Sequence, residues 1–346
     1  MISIIIPMFN ESEGVELLHK RLSEVVRGWN EPCEIIFVDD GSRDDTLNLC
    51  LNIRSRDDSV KVLSFTRNFG HQAAVTAGLC YASGDIVAVM DADLQDPPEE
   101  LYRFIEKCRE GHDVVYAVRT KRKEGPVKKL SYWLYYRILS ALTTLSIPLD
   151  AGDFCVMNAQ VLRCLNDLPE RNRFIRGLRA WVGYRQTGLP YERNERQFGK
   201  PKYTLAKLFN LAMDGLINFS YRPLRLAMFA GILVGGVAFL GGIIVFGLYL
   251  MNTGLFGYYP HNTQGWTSLM LAIVFLAGTQ LVCIGILGEY VGKVFEESKG
   301  RPPYLVARQV GFDHDERLYP GGINVRPSTM PQNATKVLNG RIFESH

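Results

Sequence analysis

The chain has 346 residues, room for one large domain or two small ones, with 47% hydrophobic and 22% charged residues. That balance excludes a disordered tail or a low-complexity repeat, and a formal net charge of +3 (39 Lys+Arg against 36 Asp+Glu) argues against nucleic-acid binding through global charge. Seven scattered cysteines (33, 50, 80, 108, 155, 164 and 283) with no CxxC pair read as free thiols of a reducing compartment, and MISIIIPMFN lacks the basic region of a secretory signal.

The first 120 residues alternate strand and helix. Ile2–Ile6 is a short apolar run ended by Pro7, and Glu34–Val38 is another, ended by Asp39-Asp40-Gly41-Ser42. Val60–Ser64, Ile86–Met90 and Val114–Val118 follow, separated by helix-like stretches at Glu13–Arg27, Thr46–Arg56, Gln72–Ala82 and Glu99–Arg109. Such alternation predicts an α/β fold, a Rossmann-like, mostly parallel sheet covered by helices. Ligands of such sheets bind outside the carboxyl ends of the strands. The chemically interesting residues stand there: Asn10-Glu11, Asp39-Asp40, Asp91-Ala92-Asp93 and Arg119. No GxGxxG follows the first strand and no GxxxxGK[ST] occurs, which disfavours a dinucleotide dehydrogenase or a P-loop enzyme.

Asp91 and Asp93 are two residues apart, so in an extended segment both carboxylates can approach one ion. Mg²⁺ and Mn²⁺ prefer oxygen ligands and borrow phosphate oxygens for the rest of their shell, and Gln95 adds a carbonyl oxygen two residues on. DxD alone is a common surface turn; its place after an apolar strand and before Pro97-Pro98 is what favours function. His71 reads as a cap or loop contact, since no second histidine stands near it to share a metal.

Residues 118–137 hold seven Lys/Arg (119, 121, 122, 123, 128, 129 and 137) and one acid, Glu124. Lys121 and Lys123 read as solvated charge, whereas Arg119 ends a strand and can bind phosphate bidentately. Two stretches have apolar residues at helical spacing behind basic starts: 127–142, with Leu130, Trp133, Leu134, Ile138 and Leu142, and 202–220, with Leu205, Leu208, Phe209, Leu216 and Ile217. They are expected to be amphipathic helices at a membrane interface, with docking onto the sheet as the plainer reading.

Leu226–Met251 gives 26 residues without a charge and Thr267–Gly288 gives 22 more, each enough to cross the roughly 20-residue hydrocarbon core. The loop between them has no Lys or Arg, while Arg222, Arg225, Lys293, Lys299 and Arg301 flank the pair, so both ends are expected in the cytoplasm. Tyr249, Tyr258, Tyr259, Trp266 and Tyr290 suit an interfacial belt, and Gly231/Gly235 is a GxxxG pair that leaves a homo-oligomer open. The expected organisation is a cytoplasmic domain over 1–221, a two-helix transmembrane hairpin over 222–292 and a cytoplasmic tail over 293–346, loop-like or disordered from 311.

The segments IIPMFNES, IIFVDDGSRDDT, TRNFGHQAAVTAG, GDIVAVMDADLQDPPE and VVYAVR resemble, in order and spacing, inverting GT-A glycosyltransferases of family 2. ERQFGKPKY at 195–203 resembles the basic substrate loop of polyprenyl-phosphate sugar synthases, and ILGEYVGKVFEESKGRPPY at 286–304 resembles the C-terminal anchor of bactoprenol glucosyltransferases and of membrane-spanning dolichyl-phosphate mannose synthases. The resemblance implies that Pro7, Phe9, Asn10 and Glu11 line the base and ribose pocket, that Asp39 and Asp40 bind base or ribose, and that Asp91 contacts the ribose or the metal. It implies Asp93 and Gln95 as ligands of the Mg²⁺ or Mn²⁺ that bridges the diphosphate. Arg119 and Arg137 would face the acceptor phosphate, and Arg196, Lys200 and Lys202 would close over the diphosphates; Pro201, where many relatives have Ser, departs from the pattern. Asp153 would be the catalytic carboxylate near the acceptor, as a base or as an orienting group, with a turn Asp as the plain reading and Asp150 as a weaker competitor.

The activity so implied is metal-dependent, inverting transfer of one hexose, UDP-glucose being the leading donor, to undecaprenyl phosphate at the cytoplasmic face of the plasma membrane. Glucose, mannose, N-acetylglucosamine and aminoarabinose are not separable by sequence. One rival is a processive polysaccharide synthase, but two spans are few for a translocation channel, and Arg176-Gly-Leu-Arg-Ala-Trp181 only loosely resembles the QxxRW signature. The other is a non-catalytic lipid-binding or flippase-accessory protein, against which the intact Asp91 and Asp93 stand.

Overall fold

The structure, a computed structural model, describes residues 1–119, 151–192, 222–251, 265–312 and 319–320. Arg137, Arg196, Lys200 and Lys202, both amphipathic stretches, Asp150, Pro201 and most of the tail lie outside the described residues. The described chain falls into two compact units, which meet in sequence between residues 300 and 301.

In the first unit the order is β1 (Ile2–Met8), α1 (Val15–Arg27), β2 (Cys33–Asp39), α2 (Thr46–Arg56), β3 (Val60–Phe65), α3 (His71–Tyr81), β4 (Ile86–Val89), α4 (Leu101–Arg109) and β5 (Val114–Arg119). β6 (Ala151–Asn158), α5 (Ala159–Asp167), α6 (Ile175–Trp181) and β7 (Gln186–Tyr191) follow. The second unit holds α7 (Arg222–Leu250) and α8 (Trp266–Ser298), after which β8 (Val306–Val310) returns to the first. All seven cysteines are free thiols.

The eight strands form one sheet in the order β7-β5-β6-β4-β1-β2-β3-β8. The β4-β1-β2-β3 run and the β5/β7 pair are parallel; β6 is antiparallel to β4 and β5, and β8 to β3. The expected mostly parallel sheet therefore holds for its centre, and the flanks make it mixed. Every residue of β1 is buried, as a central strand covered on both faces requires. Pro7 is tolerated there for a specific reason. The Ile5 carbonyl takes the last bond from β4, from the Met90 N–H at 3.1 Å, so the side of β1 where Pro7 lacks a donor has run out of partner strand.

α1 turns Val15, Leu18 and Leu22 inward, a helical period on a strongly amphipathic sequence. α3 is buried along most of its length, and its small residues let it approach the sheet closely. A Cβ placed on Gly78 would stand 2.2 Å from Cγ2 of Ile5 in β1. At the opposite end of the sheet from the polar loops, buried Glu34 accepts from Ser3 Oγ, from Ser83 N (2.8 Å) and from Ser83 Oγ (2.9 Å), and pairs with Lys61 Nζ at 2.6 Å. A buried carboxylate needs such a set of partners.

In the second unit α7 and α8 pack on each other, the Cys283 thiol meeting the Ala227 carbonyl at 4.0 Å. Their outward side chains are apolar: Phe239 is 70% and Leu281 69% exposed. Among the described residues one helix is long and apolar enough to cross a membrane, Phe275–Ser298 in α8, with mean hydropathy 1.4. One of the two expected spans meets this criterion and the second is not confirmed: in α7 the apolar stretch among the described residues, Ala227–Gly241, is shorter than the roughly 20 residues a crossing needs. Residues past 293, read from the sequence as tail, first complete α8 and then supply β8 to the sheet.

Gly78→Ala is expected to lower stability by about 1–3 kcal/mol, the cost of forcing an extra methyl group into a packed core. The check is the unfolding midpoint of the full chain, and an unchanged midpoint would contradict the tight α3–β1 contact.

Candidate active site

The carboxyl ends of β1, β2 and β4 share one edge, as parallel strands must. The loops that leave them are tied together by side chains. The Asn10 N–H donates to Ser42 Oγ at 3.0 Å, and Asn10 Oδ1 accepts from the Arg43 N–H at 2.8 Å. The Glu11 N–H donates to Thr46 Oγ1 at 2.9 Å and the Ser12 N–H to Asp44 Oδ2 at 3.2 Å. Asn10 holds φ +55°, a left-handed conformation that Asn tolerates better than most residues. The loop after β1 is therefore held against the loop after β2.

Asp39 and Asp40 are buried and bonded within the protein. Asp39 accepts from the Ser42 N–H (3.1 Å) and from Ser64 Oγ (2.9 Å). Asp40 accepts from the Phe69 N–H (2.6 Å), the Gly70 N–H (2.9 Å) and Asn68 Nδ2 (2.8 Å), so both its oxygens organise the loop between β3 and α3. Burial, with the neighbouring Asp39 charge, raises the Asp40 pKa against those N–H donors. Gly41 follows at φ +64°, where a Cβ would stand 2.5 Å from the Arg67 carbonyl carbon; only glycine admits so close a crossing of the two loops.

After β4 the chain turns through Leu94, at φ +57° with its side chain fully buried. Left-handed leucine is strained, and burial of the side chain offsets the strain. The turn brings the Gln95 N–H to Asp93 Oδ1 at 3.1 Å. Asp96 is buried and accepts from the Tyr191 hydroxyl of β7, which ties the turn to the far side of the sheet.

Asp153 meets this edge because β6 is antiparallel. Its register against β4 runs Ile86↔Asn158 to Val89↔Cys155, and two residues further the same count sets Asp91 opposite Asp153. The turn Asp of the plain reading is thus a strand residue. Two acids placed so close repel, and cations from elsewhere in the chain answer them. His71 Nε2, at the start of α3, is 3.5 Å from Asp153 Oδ2 and 3.7 Å from Asp91 Oδ1. Arg176 Nε, on α6, is 2.9 Å from Asp153 Oδ1. The Gln72 side-chain carbonyl accepts from the Ile175 N–H at 2.9 Å and so joins the starts of α3 and α6.

The electrostatics separate the two acids. Burial pushes Asp91 up to about 6, with His71 opposing and Asp153, Asp96 and Asp93 adding to the rise. Burial would raise Asp153 as well, but the His71 hydrogen bond and the charges of Arg176, His71 and Arg179 outweigh it and hold this carboxyl well below the usual range. Burial would lower His71; the Asp153 hydrogen bond and the charges of Asp91 and Asp153 outweigh that and raise it.

Of the residues read from the sequence, the structure brings Asn10, Glu11, Asp39, Asp40, Asp91, Asp93, Gln95 and Asp153 to one edge, with Pro7 and Phe9 leading into it. The Arg119 backbone ends β5 beside Tyr191 of β7. Among the described residues no group of three or more His, Cys, Asp or Glu forms a metal cage. Asp91 and Asp93 nevertheless fit a hard cation as an oxygen pair whose shell a substrate diphosphate and water would complete. Sequence reasoning undervalued His71, gave Arg176 no role at the site and passed over Asp96. The available signal for His71 was its place in Asn68-Phe69-Gly70-His71, directly after a parallel strand; for Arg176 it was only the loose likeness of Arg176–Trp181 to QxxRW, since α6 reaches the edge through the fold.

Because Asp153 and Asp91 raise the His71 pKa, the stabilisation from these contacts is complete below the ordinary value of 6.5 and is lost as pH rises through the raised one. Asp153→Asn is expected to lower the His71 pKa, read by NMR titration of the ring in the metal-free protein. A pKa that stays put would show that Asp153 does not hold the imidazolium.

The family model described as Glycosyl transferase family 2 matches residues 3–165. A Bacillus subtilis (strain 168) protein described as an uncharacterized glycosyltransferase, YkcC, is 43% identical over 318 residues, 92% of this chain and 96% of its own. The bactoprenol glucosyl transferase of Shigella phage SfV is 38% identical over 309 residues, 89% of this chain and 98% of its own. Among solved structures, glucosyl-3-phosphoglycerate synthase of Mycobacterium tuberculosis is similar at 20% identity and a TM-score of 0.45, over 63% of this chain and 76% of that one. With relatives this similar over nearly their whole length, and an α/β sheet that gathers its acids at one edge, the chain belongs to glycosyl transferase family 2.

Proposed function

We propose that the protein transfers one hexose, glucose first among the candidates, from a nucleotide sugar such as UDP-glucose to the phosphate of a polyprenyl lipid, undecaprenyl phosphate, with inversion at the anomeric carbon. The observation that carries this reading is the Asp91–His71–Asp153–Arg176 cluster beside Asp93, in a chain similar along 89% of its length to a bactoprenol glucosyl transferase.

The donor side is built from the loops after β1, β2 and β4. Phe9, Asn10 and Glu11, on a loop held rigid by Ser42, Arg43 and Thr46, line the base and ribose pocket with Pro7 and Asp39. Asp40 acts through the loop that it fixes. Asp91, Asp93 and Gln95 would hold Mg²⁺ or Mn²⁺, which would supply positive charge for a nucleoside diphosphate leaving group.

The acceptor side bears on Asp153. One of its oxygens is taken by Arg176 and the other faces His71. A carboxylate so engaged, and held so low, is a weak base for a sugar hydroxyl. A lipid phosphate needs little proton removal, because its oxygens are already anionic. Asp153 then orients His71 and Arg176 toward two phosphorylated reactants, and inversion follows when the acceptor oxygen lies in line with the leaving diphosphate. Arg119 ends β5 on this side, and Arg137, Arg196, Lys200 and Lys202 are proposed to complete the phosphate-binding set.

Membrane attachment is proposed through α8 and α7 as a two-helix hairpin, with the transferase unit on the cytoplasmic side. The uncharged stretch of 26 residues at Leu226–Met251 and the basic flanks support it. The two amphipathic stretches would lie in the interface and bring the site to the lipid head group.

Membranes carrying the protein, given a panel of UDP- and GDP-sugars and undecaprenyl phosphate, are expected to form a single-sugar lipid; polymer formation would overturn the reading. Asp93→Ala is expected to cut transfer about 100-fold, in the range seen when one transition-state charge partner is lost. Undiminished transfer would remove the metal assignment. Arg119→Ala is expected to raise the KM for the lipid phosphate and leave that for the nucleotide sugar unchanged, and unaltered acceptor kinetics would take Arg119 out of the site.

A further inference from the structure

We infer that Tyr304, in the short segment that follows α8, is a positioning residue for this site: it seats the loop that places His71 between Asp91 and Asp153.

The segment from Arg301 to β8 touches both loops that deliver cations to Asp153. On the His71 side, Tyr304 is fully buried and its ring stacks on Phe65, the last residue of β3, with centroids 5.1 Å apart and planes 9° from parallel. Phe65 meets Phe69 edge to face at 5.8 Å. The Thr66 N–H donates to the Leu305 carbonyl at 3.0 Å. β8 then pairs with β3 through an irregularity, Ser64↔Arg308 and Phe65↔Val306, which puts one extra residue on β8 where Tyr304 approaches. Such a bulge turns a strand and re-aims its neighbours.

On the Arg176 side, the Arg301 carbonyl accepts from Arg171 Nη1, in the loop before α6. Arg173, in the same loop, is held by the Leu165 and Leu168 carbonyls at 2.6 and 2.9 Å and lies near Tyr304.

The loop 66–70 is thus held by two sets of contacts. Asp40 binds the Phe69 and Gly70 N–H groups, and the Phe65 ring, stacked on Tyr304, packs on the Phe69 side chain. Aromatic pairs in such geometry add about 0.5–1.5 kcal/mol beyond area burial, enough to decide between loop conformations that are close in energy. His71 is the next residue, so a shift of the loop moves the imidazole off its two acids. Tyr304 stands six residues beyond the end of α8, so the segment that leaves the proposed anchor also sets the site.

The test uses the full-length protein in detergent micelles. It compares Tyr304→Phe, Tyr304→Leu, Phe69→Leu and, as a core control distant from the loop, Ile53→Val. It reads kcat, the KM for UDP-glucose and the position of the His71 ring resonance, assigned by its loss in His71→Gln. Tyr304→Leu and Phe69→Leu are expected to lower kcat roughly 10-fold by misplacing a site group, to leave the KM for UDP-glucose within about 2-fold, and to displace the His71 resonance. Tyr304→Phe keeps the stacking ring and is expected to retain all three values, as is the control Ile53→Val. A folded Tyr304→Leu with an unmoved His71 resonance overturns the inference. Should that variant not fold, an unmoved resonance in Phe69→Leu overturns it. The inference rests on the proposed transfer for its rate readout only. Wild-type protein that transfers no sugar would sink that reading, while the His71 resonance would still decide this one.

Discussion

Two acids held side by side govern this structure. The antiparallel register of β6 on β4 sets Asp153 against Asp91, and their repulsion is tolerable only because His71 and Arg176 stand over them. Both carboxylates are partly buried, where a charge without a partner is costly, and the cations offset that cost. The rest of the edge reads as the means of delivering them. Asp40 fixes the loop before His71, Gln72 ties that helix to the start of α6, and α6 carries Arg176.

The arrangement also gives the acids different tasks. Asp91 is pushed up by burial and by its acidic neighbours, so it gains most from a further positive charge. Asp153 is already saturated with positive partners and is held low. The first is suited to share a divalent cation with a substrate diphosphate, and the second to orient cations toward anionic reactants. That division agrees with an acceptor that arrives already ionised.

The second unit differs in physical character. Its helices expose apolar side chains that water would not favour, and α8 is long enough to cross a bilayer. The chain then re-enters the sheet as β8, so the polypeptide that leaves α8 ends against the loop before His71. On the proposed reading, attachment and the seating of the site are carried by neighbouring stretches of one segment.

Much of the first 120 residues was legible in the sequence, and for a local reason. Apolar runs of five residues, alternating with helical periods, fall where β1–β5 and α1–α4 lie, with ends shifted by at most two residues. The acids after β1, β2 and β4 were found because parallel strands place their carboxyl ends together. What the sequence could not state was pairing. β5 might have been the next parallel strand after β4, yet β6 stands between them, and β7 and β8 join from distant parts of the chain. Nothing local marks Arg176 or Tyr304 as near the acids, because their neighbours come from other elements. Residue type and strand period alone determined which groups could do the chemistry; tertiary packing alone decided which of them meet, because register and loop seating depend on contacts between distant residues, 66 apart for Val89 and Cys155 and 239 apart for Phe65 and Tyr304.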